Sequence, residues 1–259
     1  MFGGLVRKMG CRIRPYEKVK GETDKVIKKS IDILSDAFLG NRSKESAVAE
    51  VVSYFEAIET RYEERPKVAI FGDMYARDNE VLNQGLVHFI EANGGEVITT
   101  PYSSYLKMIS GQYFRKWFIE GKYLEILSSK TLIATVTMLE KVYYKYFERI
   151  LKEPEPEYDE SPEKLLSAYN VRVENTGESM DNILKLFYIK KYYPEVALFV
   201  QTIPALCCAS VITEAMAKEI EKKTGTPMVS VTYDGTGGNK NDIIIPYLRY
   251  SFPKHVGVI

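Results

Sequence analysis

The second half of the chain contains a long apolar run that restricts the fold more than any other feature. Val196 to Ile203 is β-branched, aromatic and aliphatic without alternation, which predicts a strand covered on both faces. Pro204 ends this run, and residues 210–223 then place apolar side chains at helical spacing. Met228 to Tyr233 follows as another strand, after Gly225. The order strand, helix, strand predicts a βαβ unit, which requires parallel strands.

The first half of the chain repeats this order. Lys67 to Gly72 predicts a short buried strand, residues 79–92 a helix, and Glu96 to Thr100 a second strand. Two such units predict an α/β fold, with a small Rossmann-like or flavodoxin-like parallel sheet of about four strands. Helices are expected on both faces, with right-handed crossovers.

The remaining segments look helical. Residues 1–64 are predicted to form a helical N-terminal arm, and residues 65–259 an α/β domain with a large helical insertion at about 102–195. Inside the insertion, apolar residues recur with the spacing 4, 3, 4, 3, 4, which indicates a narrow seam. That seam packs either on a helix of the same domain or on a coiled-coil partner, and it comprises Leu132, Val136, Leu139, Tyr143, Tyr146 and Ile150.

Composition excludes several classes of protein. Lys plus Arg equals Asp plus Glu, at 35 each, so no net field draws the chain to nucleic acid or to a membrane surface. Three cysteines fit no disulfide framework and are typical of a reducing compartment. Met1 to Val6 is too short for the apolar core of a signal peptide. We therefore expect a cytoplasmic protein without nucleic-acid or membrane partners.

Two adjacent cysteines mark the first candidate site. Cys207 and Cys208 follow the buried strand and precede the next helix, which is the edge where open α/β sheets bind ligands. Neighbouring residues point in different directions, so we expect one thiol to face a ligand and the other to pack inward. The alternative is that both cysteines fill space as small apolar groups.

A glycine-rich segment after the last strand is the second candidate. Asp234 to Asn241 contains three glycines and can bring backbone N–H groups close to an anion. It matches neither the Walker pattern nor the Rossmann glycine fingerprint, and a plain surface turn is the alternative. Loops after neighbouring strands open on one edge, so we expect this segment to share a crevice with Cys207 and Cys208.

Two acidic residues complete the predicted edge. Asp73 follows the first strand, and Glu178 lies in the segment Asn175 to Met180 that opens a helix. Asp73 is alternatively explained by a pairing with Arg77, and Glu178 by the helix dipole, while Asp78 and Asn79 are explained as caps of the next helix. The histidines, His88 and His255, lie in a helix and in the tail, so they support neither a zinc triad nor a Ser/His pair.

Five segments of the chain resemble the 2-hydroxyacyl-CoA dehydratase and benzoyl-CoA reductase superfamily. They are Lys67-Val-Ala-Ile-Phe-Gly-Asp-Met-Tyr75, Gly177-Glu-Ser179, Pro204-Ala-Leu-Cys-Cys208, Thr213-Glu-Ala-Met216 and Val231-Thr-Tyr-Asp-Gly-Thr-Gly-Gly-Asn-Lys-Asn241. The sequence looks most similar to the dehydratase-like C-terminal region of large CoA-substrate-specific enzyme activase proteins and to double-cubane cluster proteins. The resemblance spans nearly all of the chain.

This resemblance implies an iron–sulfur protein of anaerobic metabolism that receives a low-potential electron from an ATP-dependent activator. It implies a cluster ligand at Cys207 or Cys208, a catalytic role for Glu178, and cofactor binding by a further set of residues. That set is Asp73, Asp234, Gly235, Gly237, Gly238 and Asn239. The activase domain itself is not part of the resemblance, so no ATPase activity is implied.

The cysteine count leaves two hypotheses open. Full members of the superfamily carry further cysteine ligands in an upstream half, which this sequence lacks, and Cys11 matches no position of theirs. Because clusters are held by several thiolates, the cluster is either shared with a cysteine-rich companion subunit or a homodimer partner, or has been lost. In the second case the chain is a cluster-free scaffold or ligand-binding module.

Overall fold

The computed structural model describes residues 1–172, 174 and 177–250, and its chain forms two compact units. A helical unit combines residues 1–63 with residues 100–158, and an α/β unit combines residues 64–99 with residues 159–259. The predicted boundary near residue 64 lies close to the first division. Residues 100–158, predicted as part of an insertion in the α/β domain, instead group with the N-terminal helices.

The described residues contain twelve α-helices and four strands. In chain order the helices are α1 (Phe2–Ile13), α2 (Glu22–Phe38), α3 (Lys44–Glu56), α4 (Met74–Asp78), α5 (Leu86–Ala92), α6 (Tyr102–Ile119), α7 (Tyr123–Leu151), α8 (Pro162–Ser167), α9 (Glu178–Tyr192), α10 (Cys208–Ala215), α11 (Ala217–Thr224) and α12 (Ile245–Tyr250). The strands are β1 (Lys67–Gly72), β2 (Glu96–Ile98), β3 (Val196–Pro204) and β4 (Met228–Tyr233). Short 3₁₀ segments occupy Arg14–Tyr16 and Lys240–Ile244.

The four strands form one parallel sheet in the order β2-β1-β3-β4, which confirms the predicted α/β class. Strand β1 pairs with β3 so that Gly72 lies opposite Thr202, and β3 pairs with β4 so that Pro204 lies opposite Tyr233. The apolar run in β3 is explained by this central position, because helices cover both faces of a parallel sheet at its centre.

Each unit has its own apolar core. In the α/β unit, Phe71 and Phe199 meet edge to face at 6.3 Å between ring centroids, and Leu186 of α9 and Ile220 of α11 join their cluster. In the helical unit, α1, α2, α3 and the carboxyl-terminal half of α7 enclose a second cluster, in which Phe147 has no exposed surface.

Two predicted helices differ from those in the structure, one by a later start and one by a division. The helix expected over 79–92 begins only at Leu86, because Asn79 and Asn83 accept backbone hydrogen bonds from Leu82 and Leu86 and hold turns between α4 and α5. The helix expected over 210–223 is divided at Met216, where ψ is 1° and the helical backbone is interrupted.

The predicted seam of α7 is only half buried. Tyr143 and Ile150 lie in the core of the helical unit, whereas Leu132 is 64% exposed and Leu139 is 42% exposed. The apolar spacing therefore predicted the helix, but it did not show which part of the helix packs into the core of the helical unit. Across the described residues, no helix is both long and apolar enough to cross a bilayer.

Candidate functional site

Two loops meet at the carboxyl edge of the sheet because β1 and β3 are parallel neighbours. Asp73 directly follows β1 and caps α4, since its Oδ1 accepts a 2.7 Å hydrogen bond from the Ala76 N–H. The Asp73 N–H donates to the Thr202 carbonyl at 3.1 Å. Cys207 is the residue before α10, in the loop after β3. The fold thus brings a carboxyl group and a thiol to one edge, as the sequence predicts.

A glycine allows these two strands to approach closely where they end. Gly72 has φ +109°, and a Cβ atom added to it would lie 2.4 Å from the Thr202 carbonyl oxygen and 2.8 Å from the Thr202 nitrogen. The Thr202 hydroxyl also donates to the Phe71 carbonyl at 3.0 Å. Only glycine fits this position without moving backbone atoms.

Glu178 is the third member of the site. It is the first residue of α9, after Gly177 at φ 91° and ψ −150°, a conformation that favours glycine. Ligand atoms of Asp73, Glu178 and Cys207 all lie within 4.8 Å of one another, and all three residues are half-buried. Burial first, and then the neighbouring Asp73 carboxylate, raise the pKa of Glu178 above its ordinary value, and a backbone hydrogen bond involving Met74 opposes them.

This donor set fits a single metal ion. One thiolate with two carboxylates suits zinc or ferrous iron, and three protein donors leave coordination positions open for a further ligand. A cation here would also offset the repulsion between Asp73 and Glu178. The set does not fit a complete cubane, which takes about four thiolates. Cys208 is exposed and Cys11 is buried in the helical unit, and neither joins the group within the described residues.

Buried charges follow Glu178 along α9. Lys185 donates to Asp181 at 2.6 Å, and the two side chains are 2% and 0% exposed. Burial lowers the pKa of Lys185, and the Asp181 carboxylate opposes that effect. Arg77 of α4, 1% exposed, forms a pair with Asp78, its Nε lying 2.7 Å from Oδ1.

Asp181 and Lys185 were not predicted from the sequence as members of the site. Glu178, Asp181 and Lys185 are spaced i, i+3 and i+7, so they share one face of α9. Their signal was charge on a helix whose side chains are otherwise largely apolar and buried. Asp181 Oδ1 is buried and has no hydrogen-bond partner among the described residues. Glu178, Asp181 and Lys185 therefore form a line of polar side chains along α9 that begins at the carboxyl edge of the sheet.

The glycine-rich loop after β4 borders a cavity of about 570 Å³, within the size range of small-molecule sites. Asp234 accepts hydrogen bonds from the Thr236 N–H at 3.0 Å and from its hydroxyl at 2.7 Å. These bonds, together with the Lys240 ammonium group, hold the pKa of Asp234 well below its ordinary value. The cavity is lined by Tyr75, Asn79, Val81, Leu82, Gln84, Tyr233, Asp234, Gly235, Thr236 and Lys240.

The side chains of Gln84 and Asn241 hold this loop in place. Gln84 Nε2 donates to the Gly238 carbonyl at 3.1 Å, and Gln84 Oε1 accepts from the Lys240 N–H at 2.7 Å. Asn241, fully buried, accepts from the Tyr233 hydroxyl at 2.8 Å and donates to the Asn83 carbonyl at 3.0 Å. The loop is therefore a fixed wall of the cavity.

The sequence prediction placed the glycine-rich loop and the Cys207 and Cys208 pair in one crevice, and the structure brings their two loops to neighbouring positions at the edge. The Ala205 N–H donates to the Tyr233 carbonyl at 3.1 Å, so the loops after β3 and β4 are adjacent at the edge. Asp234 and Gly235 line the cavity, whereas the Asp73, Glu178 and Cys207 group contains no residue of the glycine-rich loop. Gly237 and Gly238 are exposed, and Asn239 Oδ1 accepts from the Asn241 N–H. Asn175, Thr176 and His255 lie outside the described residues.

Fold and site together define an α/β protein with a candidate metal centre at the carboxyl edge of a parallel sheet. Comparisons with protein-family models, with curated proteins and with solved structures found no match.

Proposed function

We propose that the α/β unit binds a metal centre through Cys207, Asp73 and Glu178 and acts as a subunit of a dehydratase-like or reductase-like electron-transfer system. The observation that carries this proposal is the convergence of one thiol and two carboxyl groups within 4.8 Å at the ligand edge of the sheet. The raised pKa of Glu178 is consistent with it: burial is the larger cause of that shift, and a cation beside Asp73 would offset the second cause, the Asp73 charge.

The class of reaction is proposed from the sequence resemblance. In that class an iron–sulfur centre passes a low-potential electron that an ATP-dependent activator supplies. This chain provides one thiolate at the edge, so a cluster would take its other thiolates from a cysteine-rich companion subunit or from a second copy. We place the system in the cytoplasm, where thiols stay reduced.

Metal analysis after anaerobic purification tests the proposal. We expect iron to copurify with the chain, either alone or after co-expression with a cysteine-rich companion. Acid-labile sulfide in proportion to the iron would identify a cluster, and iron without sulfide a single ion. Absence of bound metal in both preparations, and after incubation with ferrous or zinc salts, would overturn the metal centre.

Single substitutions test the ligands, with Cys208→Ser as the matched control for Cys207→Ser. Cys207 belongs to the three-residue group and Cys208 is the exposed neighbour, so we expect metal loss of tenfold or more only for Cys207→Ser. Asp73→Asn and Glu178→Gln should each weaken binding, with unchanged circular dichroism spectra. Equal metal content in both cysteine variants would contradict the assignment of Cys207.

A second function, binding of a small ligand without metal, is favoured by the 570 Å³ cavity beside the glycine-rich loop. Titration with pyrophosphate, observed by the thermal midpoint of unfolding, tests it. A stabilisation that Lys240→Ala removes in metal-free protein would support this function. No change in the midpoint at millimolar pyrophosphate would count against an anionic ligand of this kind.

A further inference from the structure

The side of α7 that faces away from the core of the helical unit bears a row of exposed, uncharged residues, of which Leu124, Met138 and Val142 are apolar. Its residues form a heptad-like row with the spacing 4, 3, 4, 3, 4, called here the outer row. Leu124 is 80% exposed, Met138 is 62% exposed and Val142 is 42% exposed. The outer row consists of Leu124, Ser128, Thr131, Thr135, Met138 and Val142.

The polar members of the outer row direct their hydroxyl groups to their own helix. The Ser128 hydroxyl donates to the Glu125 carbonyl at 3.1 Å, and the Thr131 hydroxyl donates to the Leu127 carbonyl at 2.9 Å. Thr135 donates to the Thr131 carbonyl at 2.8 Å. Each of these hydroxyl groups already donates to a carbonyl of α7. A partner that buries the outer row therefore creates no unsatisfied hydrogen-bond donor.

Charge is nearly absent beside the outer row. Lys130 is the one charged residue between Ile126 and Leu139. A solvated helix face of this length normally carries several charges, and contiguous exposed apolar surface is typical of an interaction site. The buried charged residue of α7, Glu140, pairs with Lys107 of α6 on the other side of the helix.

The spacing of the outer row is symmetric about Ile133, so a second copy of α7 that runs antiparallel would align with it. Reversing α7 about that residue exchanges Leu124 with Val142, Ser128 with Met138, and Thr131 with Thr135. The same reversal exchanges Glu125 with Lys141, which are both exposed and form no salt bridge within the described residues. A self-complementary surface with opposite charges at its two ends is what a two-fold interface requires.

We propose that the outer row is the interface of a homodimer in which two α7 helices pack antiparallel about Ile133. The row spans 18 residue steps, about 27 Å of helix. Each end of the interface then pairs Glu125 of one copy with Lys141 of the other. This inference does not depend on the metal centre, because all of its residues belong to the helical unit.

Sedimentation of the full chain over a range of concentrations tests the dimer. We expect a monomer–dimer equilibrium at micromolar protein, and Met138→Arg should abolish it because two guanidinium groups would enter the apolar row. Glu148→Arg, an exposed position of α7 outside the row, is the matched control and should leave the equilibrium unchanged. Circular dichroism checks that both variants fold.

Charge reversal tests the two-fold register. Glu125→Lys and Lys141→Glu should each weaken the dimer roughly tenfold, since each places like charges together twice. The double variant should regain wild-type affinity. A chain that stays monomeric at all concentrations would overturn the proposal, as would a dimer unaffected by Met138→Arg. Monomeric protein that co-sediments with anionic phospholipid vesicles would assign the row to lipid instead.

Discussion

Unusual backbone conformations at single residues set the positions of the candidate ligands. Gly72 and Gly177 have positive φ, and they directly precede Asp73 and Glu178. Leu206 precedes Cys207, and it has φ 66° although it is not glycine and is 95% exposed. Glycine adopts this region freely and other residues avoid it, so the conformation of Leu206, before the candidate ligand Cys207, is one that the surrounding structure must maintain.

Replacing Gly72 by Ala is expected to destabilise the protein by about 3 kcal/mol or more, because the new methyl group would meet Thr202 backbone atoms and the residue would keep a positive φ. Urea denaturation measures this change. The control is Gly237→Ala, since Gly237 lacks a positive φ and has open space where a Cβ would be placed. Equal destabilisation by both substitutions would contradict the steric explanation.

Replacing Glu178 by Gln is expected to stabilise the metal-free protein at neutral pH. Burial and Asp73 raise the pKa of Glu178 in the folded state above its value in the unfolded chain. This residue's contribution to stability is therefore complete below the ordinary Glu pKa and is lost as the pH rises through the folded-state pKa. Glutamine does not ionise, so Glu178→Gln keeps its free energy of unfolding as the pH rises through this range.

Urea midpoints at acidic and neutral pH measure this effect. Glu178→Gln should exceed the wild type at neutral pH and match it in acid, whereas Glu214→Gln, at an exposed position of α10, should show no difference at either pH. A gain of equal size at both pH values would show that ionisation of Glu178 is not the cause.

The sequence predicted where the candidate ligands lie, because each one follows a recognisable strand or opens a helix. The sequence could not predict which of these candidate ligands lie close to one another in the fold. Cys207 and Cys208 are equivalent in the sequence, and only the backbone at the start of α10 places one in the group and leaves the other exposed. The Asp181 and Lys185 pair was missed because its burial depends on packing between distant segments.

At the scale of elements, short connections at the sheet edge are fixed by side-chain hydrogen bonds. Gln201 of β3 donates to the Ser210 carbonyl at 2.9 Å, which ties the first turn of α10 to the strand. Gln201 also accepts from Ser230 of β4 at 3.1 Å. Bonds of this kind explain why α5 begins only at Leu86, since side chains compete with the helical backbone pattern. The spacing of apolar residues in the sequence does not show where side-chain hydrogen bonds replace those of the helical backbone.

Asn241→Ala is expected to cost about 2 kcal/mol, because it leaves the Tyr233 hydroxyl and the carbonyl groups of Asn83 and Gln84 without their partner. Tyr233→Phe removes one of these bonds and should cost about 1 kcal/mol. Chemical denaturation measures both. Thr232→Val, at an exposed position of the same strand as Tyr233, is the control, and a similar loss there would argue against the network.

At the scale of the whole molecule, each compact unit is assembled from separate parts of the chain. The α/β class was predictable because each βαβ unit is local in sequence. The grouping of residues 100–158 with residues 1–63 was not, because helical periodicity shows that a helix has an apolar side but does not identify what covers it. The helical insertion was therefore predicted, and its packing partner was missed.

Phe147→Ala tests the core that joins these two parts of the helical unit. Phe147 of α7 is fully buried in a cluster with residues of α1, α2 and α3, so its truncation should cost about 4 kcal/mol. Phe118→Ala is the matched control, because Phe118 is 63% exposed and its loss should cost under about 1 kcal/mol. Denaturation midpoints compare the two, and similar losses would contradict this view of the core.

The central pairing of β1 with β3 also has a consequence for biosynthesis. The two strands are separated by the 123 residues between Gly72 and Val196. At the usual rates of translation, β1 must wait roughly 6 to 25 s on the ribosome before its central partner exists. During that interval an apolar strand has an unpaired edge, which is a site for aggregation. We expect the yield of folded protein to depend on chaperones that hold nascent chains.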